Sequence, residues 1–171
     1  MEMKALIRTM AVAAMPLLFS LHASGYTTKT ATLYVNGSVT AQPCTVSRTQ
    51  MTVSLGDIYT STLVGAGAAT PWVPFTLSLT ACPDGTNGVT AVFSGATDSN
   101  GNFSNQGTAG DMAVQLETQS GTLLTSGSSL QTAVDQSQNA AFSLQARAIT
   151  SGGNPTSGTL QSAINITYTW Q

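Results

Sequence analysis

From Gly158 to Gln171 the chain alternates apolar and polar side chains. Leu160, Ile164, Ile166, Tyr168 and Trp170 fall on even positions, with Ser162 the polar member, while Gln161, Asn165, Thr167 and Thr169 fall on odd ones. Period two sends successive side chains to opposite faces, which predicts a half-buried strand. A helix is the weaker reading, because β-branched and aromatic residues dominate and no capping signal follows Gly158. Five large apolar side chains on one face predict a strand deep in a sheet. The sequence supplies no later strand to lie beside it, so something else is expected to cover that edge.

The same alternation recurs upstream. In Thr30 to Gln42, residues Ala31, Leu33, Val35, Gly37, Val39 and Ala41 share one face. Asn36-Gly37 is a hairpin signal with a type I′ turn, which would split this stretch into two short strands. The competing reading keeps the strand straight, since parity is preserved through Gly37, and makes Gly37 a point of close approach. Both readings stand at the level of sequence.

After Cys44, Met51 to Leu55 predicts a strand ending at Gly56-Asp57, followed by a loose Ser, Ala and Gly segment to Thr70. Between Pro71 and Cys82, residues Val73, Phe75, Leu77, Leu79 and Ala81 mark one buried face, and Pro74 puts the start of that strand at an edge or bulge. Val89, Ala91 and Phe93 give a short strand, and Asp98 to Asp111 reads as a long surface loop. Met112, Val114 and Leu116 begin another strand, prolonged by Leu123-Leu124, and Phe142, Leu144, Ala146 and Ala148 form the next. About six strands after Cys44, separated by Gly, Asn and Ser turns and without an amphipathic helix, predict an all-β sandwich. An Ig-like sandwich normally needs about seven strands. This one is short of a strand at its C-terminal end and has an extra one before Cys44.

The N-terminal residues change the picture of compartment. Lys4 and Arg8 precede an apolar run from Met10 to Leu21, and Ala23-Ser24-Gly25 offers small residues for cleavage. That run is too short for a membrane span of about 20 apolar residues. The predicted organisation is a signal peptide at 1–25, an extension at 26–42 and a folded domain at 43–171. Removing Glu2, Lys4, Arg8 and His22 takes seven acids to six and five bases to three, so the net charge moves from −2 to −3 and no histidine remains. Such a surface lacks the basic footprint that nucleic acid requires. Export to an oxidising compartment makes Cys44 and Cys82 a disulfide pair. Closing a loop of about 39 residues contributes roughly 4 kcal/mol in the chain-entropy model.

Catalytic chemistry finds little support. Without histidine there is no Ser-His or Cys-His pair, and the Asp residues at 57, 98, 111 and 135 lie in or near turns, where Asp serves backbone hydrogen bonding. No metal or other cofactor and no small-molecule substrate is expected. Asp98-Ser-Asn-Gly-Asn has some flavour of a calcium loop but lacks the glutamate at its twelfth position. Asn36-Gly-Ser, Asn102-Phe-Ser and Asn165-Ile-Thr match glycosylation acceptors, a pattern that arises readily by chance.

A set of motifs resembles the pilin subunits of chaperone–usher fimbriae: the leader, the alternating strand with Val35-Asn-Gly37, the Pro43-Cys44 pair, Cys82, and Gly158 followed by the terminal strand. Within that family the chain is most similar to minor adaptor pilins of the type 1 fimbrial tip, through Cys44-Thr-Val-Ser47, Leu55-Gly-Asp57, Asn105-Gln-Gly-Thr-Ala109, Leu144-Gln-Ala-Arg-Ala148 and Ile166-Thr-Tyr168. The resemblance implies an incomplete Ig-like sandwich lacking its last strand and completed in trans by a donor strand. It makes Ala31, Leu33, Val35, Gly37 and Val39 the donor positions. It makes Gly158, Leu160, Ile164, Ile166, Tyr168, Trp170 and Gln171 the edge of the groove and the docking surface for a chaperone. The implied partners are a periplasmic chaperone, an outer-membrane usher, neighbouring pilins and a tip adhesin, with export through the periplasm to a surface fimbria. Trp170 departs from the tyrosine these subunits usually carry next to the end. A major shaft pilin and a self-contained secreted Ig-like binding domain are the alternatives. A terminal adhesin would need a separate binding domain, for which the stretch before Cys44 is too short.

Overall fold

Alternation becomes a ladder wherever a partner strand exists, and the computed structural model shows nine such strands among the residues it describes, Asn36 and 42–171. They are β1 (Thr45–Val46), β2 (Val73–Thr80), β3 (Gly88–Ser94), β4 (Phe103–Ser104), β5 (Ala113–Thr118), β6 (Leu123–Leu124), β7 (Ser129–Ala133), β8 (Ala140–Ile149) and β9 (Asn165–Trp170). Their only helical neighbour among the described residues is a 3-10 turn at Thr60–Thr62. The expectations for the leader 1–25, and for Ala31, Leu33, Val35, Gly37 and Val39, lie outside the described residues.

The strands form two antiparallel sheets. The first runs β1-β2-β8-β5-β4 with β6 beside β5, and the second runs β7-β3-β9. Leu79, Phe142, Leu144, Phe103 and Leu116 from the first sheet meet Val89, Ala91 and Phe93 from the second, all buried in one core. Shared parity explains the register. Leu77 lies opposite Phe142 and Phe75 opposite Leu144, so every large side chain of β8 that faces inward meets another. Each fully buried Leu or Phe contributes about 1.5–3 kcal/mol relative to exposure, so this interface dominates the fold.

Cys44 and Cys82 are disulfide-bonded and almost fully buried. Just inside the bridge, Thr45 pairs with Thr80, so the bond staples the short strand β1 onto β2. Two ladder pairs alone would hold β1 weakly.

Several local expectations need correction. Met51 to Leu55 belongs to no strand, because among the described residues nothing pairs with its backbone. Ala81 does not continue the buried face of β2; it is exposed with φ 50°, and the turn it makes hands the interior position to Cys82. The stretch Asp98 to Asp111 is not merely a surface loop, since Phe103 in β4 is completely buried. β7 carried no period strong enough to be anticipated. Nor does the C-terminal strand sit deep in a sheet. β9 is an edge strand whose inward side chains are only half-buried. Pro74 behaves as expected, because β1 reaches only Leu79 and Thr80, leaving the start of β2 with β8 on one side alone.

Asp111 fastens the loop that leads from β8 toward β9. Its Oδ2 accepts from Thr150 Oγ1 at 2.7 Å and from Gly152 N at 2.8 Å. The Thr150 hydroxyl first, then the Gly152 amide, hold its carboxyl below the ordinary value, with smaller help from Gly153 and Ser151 and some opposition from desolvation. A folded pKa below the unfolded one gives stability that is complete above the unfolded value of about 3.9 and is lost as pH falls through the folded value. Asp111→Asn should therefore melt below wild type at neutral pH, with the difference shrinking as both are titrated through and below that folded value. Thermal melts across pH 7 to 2 check it; a gap of constant size would mean the carboxylate charge is irrelevant. Replacing both Cys44 and Cys82 by Ser should cost about 2–5 kcal/mol, read as a lower urea midpoint of the purified subunit and a lower periplasmic yield. Two alkylatable thiols in native wild-type protein would contradict the bridge itself.

Candidate functional site

The second sheet is narrow, and its edge β9 leaves part of the first sheet's inner face uncovered. The result is a long groove of about 1290 Å³ between two walls. One wall is the C-terminal stretch, from which Leu160, Ile164, Ile166 and Tyr168 point inward. The other is Arg48–Tyr59, contributing Val53, Leu55 and Ile58 as its half-buried members. Phe75, Leu77, Leu116, Leu144 and Ala146 make the floor. Strand period explains the lining. Each wall half-buries alternate side chains, Val53 and Leu55 on one and Ile164, Ile166 and Tyr168 on the other, and leaves those between, such as Thr52, Ser54, Asn165 and Thr167, exposed.

Main chain matters as much as side chains here. β9 is paired with β3 from Val89↔Trp170 to Ser94↔Asn165, and among the described residues nothing pairs with its other edge. Along Arg48–Tyr59 the backbone bonds among described residues reduce to one carbonyl, Tyr59 O, accepting from Thr62 N. Two backbone edges without ladder partners among the described residues therefore flank an apolar trough. The walls run in opposite senses. Val46 lies opposite Leu79 and Tyr168 packs 6.0 Å from Phe142 at one end, while Leu63 accepts from Asn154 N at the other. Burial against this floor pushes the Tyr168 phenol up from its usual pKa.

The segment before β9 has left β3 and is held differently. Asn105 Nδ2 donates to Ala109 O at 2.7 Å and to Thr159 O at 3.1 Å, while its Oδ1 accepts from Gly107 N and Gln161 N, both at 2.8 Å. Gln106 N donates to Gln161 O at 2.7 Å. One amide thus ties the groove wall to the loop 105–109. Gly158 lies so close to Thr108 and Ala109 that a Cβ would fall on their backbone, which only glycine avoids.

Leu160, Ile164, Ile166 and Tyr168 line the groove as a set, with Gly158 at its end. Trp170 and Gln171 do not line it. Trp170 is half-buried against the core beyond Tyr168, and Gln171 O accepts from Asn87 N at 2.7 Å and Gly88 N at 3.3 Å. The wall Arg48–Tyr59 was missed as a site, although its alternation of Met51, Val53 and Leu55 was visible. An alternating stretch was read as a strand, and here no ladder partner lies beside it among the described residues.

Other chemistry is absorbed locally. Asp98 Oδ1 accepts from Asn100 N and Asn102 N, both at 2.9 Å, and Oδ2 accepts from Asn102 Nδ2, so this acid caps its own turn. Among the described residues no three His, Cys, Asp or Glu side chains are grouped to hold a metal. Asn102 is buried, which leaves its triplet unsuited to glycosylation. The groove is longer and more open than a small-molecule cleft of about 300–1,000 Å³, and its twin unpaired edges suit a peptide strand.

Comparison with known proteins bears on this geometry. The family model described as "Fimbrial protein" matches residues 33–171. Protein FimG of Escherichia coli K12 is 51% identical over 140 residues, covering 81% of this chain and 84% of that protein. Among solved structures, the P pilus rod subunit PapA superposes with a TM-score of 0.64 at 18% identity, covering 76% of this chain and 100% of PapA. A subunit from the structure of a chaperone–usher pilus gives a TM-score of 0.62 at 19% identity, covering 84% of this chain and 96% of that one. The fold is that of an incomplete Ig-like pilin. With the fimbrial family model matching residues 33–171 and 51% identity to protein FimG over 140 residues, the chain belongs to the fimbrial protein family, as a pilin that associates with other pilins in a cell-surface fimbria.

Proposed function

We propose that this chain is an adaptor near the tip of a chaperone–usher fimbria, with its groove filled first by a strand of a periplasmic chaperone and then by the N-terminal extension of a neighbouring subunit. The observation that carries the reading is the open groove, an apolar floor between two backbone edges that lack partners among the described residues. Strand addition satisfies both needs at once, through main-chain bonds to the edges and alternate side chains in the trough. The similarity to FimG, a type 1 fimbrial minor subunit, supports the adaptor position.

In this reading 1–25 is the signal peptide that directs the chain to the periplasm, 26–42 the donor extension and 43–171 the pilin domain. Ala31, Leu33, Val35, Gly37 and Val39 are five alternate positions, and residues 160, 162, 164, 166 and 168 are five on the groove wall. Both sets span eight residue steps, or about 26 Å at roughly 3.3 Å per residue. The lengths match. Burying Leu33, Val35 and Val39 in a neighbour's groove gives on the order of 5–9 kcal/mol before ordering costs. The outer-membrane usher is the site of the exchange, and the tip adhesin is one of the neighbours.

Gly37 distinguishes the donor strand from a hairpin. A donor strand needs a residue without Cβ where the groove narrows, whereas a type I′ turn needs one for its own backbone. Gly37→Leu should leave the yield of chaperone complex at wild-type level and reduce incorporation into fibres at least tenfold, since about 1.4 kcal/mol of clash is already a factor of ten. Loss of the mutant at the chaperone stage would instead support the hairpin. At the other terminus, removing Thr169 to Gln171 deletes Trp170 from the core and shortens the edge on which the chaperone docks. Periplasmic accumulation of that truncation should fall to background, measured by chaperone co-purification; normal yield would exclude a docking role for these residues.

A further inference from the structure

Two large apolar side chains stand in water at one end of the groove. Tyr59 is 70% exposed and Val64 63%. They bracket the 3-10 turn Thr60–Thr62 and Leu63, which is 1% exposed, so burial of Leu63 fixes the turn while its apolar neighbours are presented outward. Asn154 N donates to Leu63 O at 3.0 Å, and a Cβ on Gly153 would lie 2.7 Å from Val64 O. The pair is therefore held rigidly beside the stretch that leads into Gly158 and Leu160. The described parts of the chain's own fold make no use of either side chain.

The direction of an added strand decides what comes to lie there. β9 and its sheet are antiparallel throughout, and antiparallel addition is the commoner pairing. A donor strand antiparallel to β9 enters beside Tyr168 and leaves beside Leu160, at the end where Tyr59 and Val64 stand. In an extension like that of this chain, five residue steps separate Val39 from Cys44, a reach of at most about 17 Å. The tether fixes the donor's folded body next to this rim, where a high effective concentration makes a small contact count.

We propose that Tyr59 and Val64 form a docking rim for the body of the neighbouring pilin, at the end of that body bearing its N-terminal cysteine. The inference rests on the donor-strand reading. In a neighbour built like this chain, that end offers exposed Pro43, half-buried Pro83 and a polar border in which Gln138 Nε2 donates to Asp84 at 2.7 Å. Proline rings and an amide–carboxylate border suit a tyrosine and a valine, since the phenol supplies apolar area with a polar tip. The rim turns a flexible link between subunits into a preferred orientation.

The test compares two ligands of the purified subunit, an intact neighbouring pilin and a synthetic peptide of that neighbour's extension. Val64→Ser, at a residue outside the groove lining, should release the intact neighbour about fivefold faster in moderate urea while leaving release of the peptide unchanged. Unchanged release of the intact neighbour would overturn the rim, and so would an equal effect on the peptide, which would place Val64 at the groove instead. A peptide that fails to bind wild type would overturn the donor-strand reading and the rim with it. Photocrosslinking from Val64→p-benzoylphenylalanine gives an independent readout in the assembled complex. Adducts beyond the neighbour's first cysteine support the rim; adducts confined to its extension, or none, overturn it.

Discussion

The structure turns on one unpaired edge. β9 covers its side of the core with half-buried Ile166 and Tyr168 and, among the described residues, is bonded to β3 alone. Across the groove the wall Arg48–Tyr59 is also without a ladder among the described residues. An extended pair of free backbone edges above an apolar floor is an aggregation hazard in an isolated domain. In a subunit that polymerises it becomes the joint. The same exposed groups that make the monomer vulnerable make the assembled chain strong, because one strand supplies both the missing hydrogen bonds and the missing core side chains.

Everything around the groove serves to keep it open and straight. The disulfide fixes β1 to β2 at the point where the free wall begins. Asn105 and the close approach at Gly158 anchor the start of the other wall to the loop 105–109. Asp111 and Thr150 hold the turn between β8 and that wall. These are polar or covalent fastenings rather than apolar packing. That is a physical necessity where the sandwich lacks the strand that would otherwise hold its edges.

The sequence was most informative where period two met a buried face. Leu144, Ala146 and Ala148 in β8, and Val89, Ala91 and Phe93 in β3, lie in the core with the parity expected. It was less informative where burial depends on a distant partner. Phe103 sits in a stretch of Asn, Gly and Ser that reads as loop, and only its pairing opposite Val114 brings it inside. Ser129–Ala133 alternates but carries few apolar residues, because β7 packs as the outer edge of the smaller sheet. For the site, alternation gave the apolar face of the C-terminal strand, and its place at a groove edge came from the resemblance to pilins. The opposite wall was visible as alternation but not as a site, since a period of two does not say whether a strand has a partner.

Amide hydrogen exchange on the free subunit, with and without a saturating peptide of a donor extension, tests the central claim most directly. The account predicts that the amides of residues 51–58, and those in residues 162–168 that do not bond to β3, exchange readily in the free subunit and become protected when the peptide binds. Walls already protected without peptide, or unchanged by it, would contradict a groove that is completed in trans.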